Sequence, residues 1–145
     1  MFTKIPERFR SRVVMPPQTT ADAADDYLLP TPGAMGITLR CIAKIGHATD
    51  LVLSLKSSDD ATGTTAAAYP VDVPIYVNGV RKADGKAYTV PKKVDADIAY
   101  IVDFCIDPAT VPEGKYVGIA YAASNAANLL AVEMIEDVAY KPTPA

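Results

Sequence analysis

The chain has 145 residues, half of them hydrophobic, and a net charge of -3 at pH 7. That length gives one domain with room for a real core, and that apolar share excludes a wholly disordered chain. The small charge argues against nucleic acid as the main partner, and no apolar run is long enough to cross a membrane.

Residues 1–35 read as an extended N-terminal arm. The opening, Met1 to Arg10, is charged and lacks the apolar centre of a signal peptide. Synthesis and folding in the cytoplasm are therefore expected. Pro6, Pro16, Pro17, Pro30 and Pro32 oppose long helices and remove sheet donors. Basic residues give way to Asp22, Asp25 and Asp26, with isolated apolar side chains between them. Two readings stay open. The segment is a frayed terminus, or it lies along a neighbouring subunit. On the second reading the candidate partner-binding residues are Phe2, Arg8, Phe9, Arg10, Arg12, Val13, Val14 and Leu28.

The domain proper spans 36–145. Ile37, Leu39, Cys41, Ala43 and Ile45 alternate inward, Gly46–Asp50 turns the chain, and Leu51, Leu53 and Leu55 mark a second inward face. The two runs together read as a hairpin. Residues 57–65 form a polar loop, extended by 66–68. Val71, Val73, Ile75 and Val77 alternate next, with Pro74 placing that strand at an edge or a bulge. Asn78-Gly79 suits a type I′ turn, since both residues tolerate positive φ. Short strands follow at 80–82 and 87–90, with a turn at Asp84-Gly85. The longest apolar alternation, Ile98 to Ile106, is the expected central strand. Val117, Ile119 and Tyr121 mark another. Residues 126–138 fit one face of a helix after an Asn125 cap, but read as the last strand the sheet requires. About eight strands joined by turns predict an all-β antiparallel sandwich of jelly-roll type.

Chemistry-bearing residues are sparse. His47 is the single histidine and lies in a turn. Cys41 and Cys105 sit in strands without C-x-x-C spacing, as buried thiols do in a reducing compartment. Asp59, Asp60, Asp95 and Asp97 read as turn carboxylates and match no EF-hand loop. Glu133, Glu136 and Asp137 are acidic neighbours with no recognisable cleft partner. Arg81, Lys82, Lys86, Lys92 and Lys93 read as a solvated hairpin face. No catalytic, cofactor-binding or metal-binding residue is assigned, no cofactor is implied, and the expectation is a non-enzyme.

The Pro-rich opening, Asp72–Gly79, Val102–Tyr116 and Ser124-Asn125 resemble tailed-bacteriophage virion proteins. They are most similar to the small head proteins that cement or decorate capsids. The likeness covers residues 37–140 in general pattern and transfers no site residue. It implies a β-sandwich or jelly roll on the capsid exterior. The major capsid protein is the implied partner, together with further copies of the chain in a homo-oligomer. A different class is a carbohydrate- or receptor-binding β module, which requires exposed aromatics among Tyr69, Tyr76, Tyr88, Tyr100, Tyr116 and Tyr121. A small hydrolase requires a pocket that gathers Asp and Glu.

Overall fold

The computed structural model describes residues 8–138. Its strands are β1 (Phe9–Thr19), β2 (Ala24–Leu28), β3 (Gly36–Ile45), β4 (Leu51–Ser58), β5 (Ala67–Ala68), β6 (Val73–Val77), β7 (Val80–Gly85), β8 (Ala87–Val90), β9 (Ile98–Ile106), β10 (Tyr116–Tyr121) and β11 (Leu129–Asp137). One 3-10 turn, Pro108–Thr110, interrupts the pattern. The strands form two antiparallel sheets packed as a β-sandwich. The first has six strands in the order β1-β11-β3-β9-β6-β7. The second runs β2-β10-β4-β5, and β8 pairs with β4 as well.

Period-two alternation accounts for the core. Leu39, Cys41, Val102, Phe104, Val132 and Met134 from the first sheet meet Leu53, Leu55, Val117, Ile119 and Tyr121 from the second in one buried cluster. Each large apolar side chain so buried contributes about 1.5–3 kcal/mol. Residues 126–138 do supply the last strand. Leu130, Val132, Met134 and Glu136 alternate inward, and β11 lies between β1 and β3.

The expected hairpin at 37–55 does not form. β3 pairs with β9 and β11, whereas β4 pairs with β10, β5 and β8. Residues Gly46–Asp50 carry the chain from one sheet to the other. Such crossings are the rule here, since only β4 to β5 and β6 to β7 stay within a sheet. Eleven strands are found among the described residues rather than eight. Ala67–Ala68, expected in a loop, pairs with Lys56 and Ser57. The Asp84-Gly85 position is the end of β7, beyond which the chain changes sheets.

The expected arm is also corrected. Residues 9–28 supply β1 and β2, one edge strand of each sheet. The prolines are accommodated rather than disruptive. Pro16 and Pro17 fall in the second of two register shifts along β1, between Met15 and Gln18. An edge strand at a bulge tolerates a missing amide hydrogen. The first shift brings two successive residues, Val14 and Met15, into the core.

Pro74 likewise marks a bulge between Val73 and Ile75, but β6 is interior, between β9 and β7. Asn78 (φ 50°) and Gly79 (φ 80°) make the β6–β7 turn as expected. Gly118 is required for a different reason. A Cβ there would stand 1.9 Å from the carbonyl oxygen of Asp26 in β2.

Gly118→Ala should therefore push β2 off the sheet and lower the unfolding free energy by about 3 kcal/mol, the upper end for an added methyl. Gly79→Val meets open space, so only its backbone is strained, and it should lose about 1–2 kcal/mol. Urea titrations of both variants check the order.

Candidate functional site

The outer face of the six-stranded sheet carries an ordered set of cross-strand side-chain pairs. Register places one residue from each strand in a row across it. Val13, Glu133, Arg40, Asp103, Tyr76 and Arg81 stand side by side on β1, β11, β3, β9, β6 and β7. Arg40 grips Asp103 with two parallel bonds, Nε to Oδ1 at 2.9 Å and Nη2 to Oδ2 at 3.1 Å. This fork geometry is the strongest form of the pair. The Asp103 hydrogen bond, with the charges of Asp103 and Glu133, holds the Arg40 pKa above its ordinary value against the effect of burial. Arg81 lies over the Tyr76 ring, 5.9 Å from its centroid, and donates to Asp84 at 2.9 Å.

An apolar row runs beside the charged one. Ala131, Ile42 and Ile101 are cross-strand neighbours on β11, β3 and β9. Ile42 is 46% and Ile101 39% exposed, although both stand in the middle of a sheet. Further along, Phe9, Thr38, Pro74, Cys105 and Ile135 line a groove of about 320 Å³. The face thus combines a fixed ladder of alternating charge with exposed branched aliphatics.

The candidate arm residues are distributed differently from the expectation. Arg12 donates from Nε (3.1 Å) and Nη2 (2.7 Å) to Oε1 of Glu136, and from Nη2 to the Leu29 carbonyl at 2.8 Å. Arg8 pairs with Asp137 at 3.1 Å, and Arg10 donates to Thr31 Oγ1 at 3.1 Å. Val14 is buried and Leu28 packs against the core. Phe9 is half-buried beneath the Arg8 guanidinium. Val13 remains 64% exposed, and Phe2 lies outside the described residues. Three arginines read as reaching for a neighbour thus hold the chain's own first strand. The sequence signal was present but remote: Arg12 and Glu136 are 124 residues apart.

Glu136 has no exposed surface. Besides Arg12, it accepts from the Thr31 amide at 2.5 Å and from Thr31 Oγ1 at 3.0 Å. This set of contacts is structural, because Arg12, Thr31 and the neighbouring strands enclose the carboxylate.

The remaining singled-out residues disperse. His47 is exposed, and its Nδ1 lies 3.1 Å from Thr49 Oγ1. Cys41 faces the core and Cys105 the opposite side of the same sheet, and both are free thiols. Burial, and secondarily the charge of Asp103, pushes both thiols up. Asp60 closes its own loop by accepting from the amides of Thr62, Gly63 and Thr64. Asp59 pairs with Lys115, and Asp97 lies between Lys93 and Lys44. Among the described residues no three His, Cys, Asp or Glu side chains gather as a metal site. Of the tyrosines, Tyr69 and Tyr121 are buried, while Tyr76, Tyr88, Tyr100 and Tyr116 are half-buried on several strands. No protein-family model and no curated protein matches the chain.

Removing one partner of a buried ion pair strands the other. Arg12→Ala should thus cost about 3–5 kcal/mol of stability, whereas Arg8→Ala at the exposed, solvent-screened pair should leave stability nearly unchanged. Chemical denaturation of the two variants separates them.

A pH effect is expected at Asp26 in β2. Burial, and then the charge of Asp25, raises its pKa. The folded state therefore holds this proton at pH values where the unfolded chain has released it. Stability should fall as pH rises from the unfolded value toward the raised one, and the loss persists above it. Asp26→Asn should raise the melting temperature at pH 7 and flatten that part of the pH profile.

Proposed function

We propose that this chain is a jelly-roll virion protein that binds the exterior of a tailed-phage shell as a cement or decoration protein. Its partner is the major capsid protein, and its work is adhesion rather than catalysis. The observation that carries this reading is the strand order. β1-β11-β3-β9 lies against β2-β10-β4-β8, and the chain changes sheets at each step from β1 to β4 and again from β8 to β11. That order supports a jelly-roll reading, since an eight-strand double Greek key has this arrangement once β5 and the β6–β7 hairpin are taken as insertions between the fourth and fifth strands. Viral capsid proteins and lectins both use this architecture.

The side chains favour the first of those two uses. Glycan sites gather exposed aromatics, and here the described tyrosines are buried or half-buried and dispersed over several elements. The outer sheet face instead offers fixed charge pairs and aliphatics, the ingredients of a protein–protein contact. A rigid sandwich with two filled layers also suits a part that must resist deformation of the shell.

Cross-linking of particles from the source of this chain, followed by mass spectrometry, tests the reading. Cross-links to a shell protein present in many copies are expected, along with a higher melting temperature of shells carrying the protein. Glycan-array binding without such cross-links would replace this function with carbohydrate recognition.

A further inference from the structure

We propose that two copies of this chain pack face to face through the outer surface of the six-stranded sheet, about a twofold axis that runs along the strands between β3 and β9. This goes beyond the adhesive role, which requires no particular oligomer.

The charge row selects the partner. Its order across the sheet is Glu133, Arg40, Asp103, Tyr76, Arg81. A twofold axis along the strands, midway between β3 and β9, reverses that order in the second copy. Arg40 then faces Asp103 of the second copy, and Asp103 faces its Arg40. Glu133 faces Tyr76, whose ring lies beneath the positive Arg81 guanidinium. The same operation sets Ile42 against Ile101 and Ile101 against Ile42, because these two are also direct neighbours across the β3–β9 midline. An axis laid across the strands through the charged row would place Arg40 on Arg40 and Asp103 on Asp103. Like charges in contact exclude that packing. The row is thus complementary to itself in one orientation and repulsive in the other, which is the requirement of an isologous dimer.

Size and geometry agree. Six strands about 4.8 Å apart and about 25 Å long present roughly 700 Å², close to the roughly 800 Å² per partner of a stable interface. Tilting the axis by about 15° from the strands gives the crossing angle of about 30° at which twisted sheets pack. The pairing also covers Ile42 and Ile101, whose exposure in mid-sheet serves nothing within one copy.

Sedimentation velocity of the full chain tests this. The wild type should sediment at twice the 15.4 kDa of the monomer at concentrations up to about 100 µM. Ile42→Glu and Asp103→Arg should each raise the dimer dissociation constant at least about 100-fold. The exchange Arg40→Asp with Asp103→Arg preserves both the fork within a copy and the contact between copies, so it should dimerise within about tenfold of the wild type. Far-UV circular dichroism confirms that each variant is folded. Ile42 is exposed in the monomer, so its substitution leaves the fold intact even where Asp103→Arg does not. A monomeric wild type overturns the proposal. So does a trimer, or a dimer indifferent to Ile42→Glu.

Discussion

Glu136 is a carboxylate with no solvent exposure at the inward end of β11, in the position where Leu130, Val132 and Met134 have set an apolar rhythm. An unpaired charge there would be untenable. Arg12 answers it from β1, and Thr31 from the loop between β2 and β3. Three segments that are far apart in the chain are thereby fixed to one point. The arrangement also sets register. β1 pairs with β11 across two bulges, and a slip of one residue would turn Arg12 outward and leave Glu136 buried alone. A buried pair of this kind is weak as a source of net stability but strong as a penalty on wrong pairings.

The opposite end of the sandwich is closed by a neutral counterpart. Asn128 is fully buried; its Oδ1 accepts from the amides of Gly46 and His47, and its Nδ2 donates to the Thr49 carbonyl and Ser124 Oγ. Thr20 joins the same cluster through its amide to the Asn128 carbonyl at 2.9 Å. These residues belong to the connections that cross between sheets. A crossing chain leaves strand pairing, so its polar groups need other partners. Buried side chains supply them here, which lets the middle of both sheets stay purely apolar.

This division explains what could be read from the sequence. Inward faces were legible because alternation is a local property: 37–45, 51–55 and 117–121 bury the predicted side chains, and 98–106 does so from Val102 onward, while Ile98 is exposed and Tyr100 half-buried at its first end. The Asn78-Gly79 turn was legible because its chemistry is confined to two residues. Pairing was not legible. Adjacency in sequence suggested that 37–45 and 51–55 form a hairpin, whereas the crossing loop depends on Asn128 some eighty residues later. The first strand was obscured in three ways. Its bulges break the period of two, its prolines mimic a linker, and the partner of Arg12 stands at the other end of the chain. The charged row on the outer face was equally hidden, since its members come from separate strands and align only once the strand order is known.

Edges and faces divide the remaining surface differently. β1 carries Pro16 and Pro17, β2 carries Asp25 and Asp26, and β7 presents Arg81 and Lys82. On the far side of the second sheet, β5 has two residues and β8 has four. Missing donors, charge and short length are the devices by which sheets refuse another strand. Every edge of this sandwich carries one of them, so addition of a further chain by strand pairing is disfavoured throughout. The outer face of the six-stranded sheet carries no such block. Its side chains are held by cross-strand pairs and therefore lose little freedom on contact, which lowers the entropic cost of association. Blunted edges beside an ordered, partly apolar face are the combination that the proposed face-to-face pairing requires.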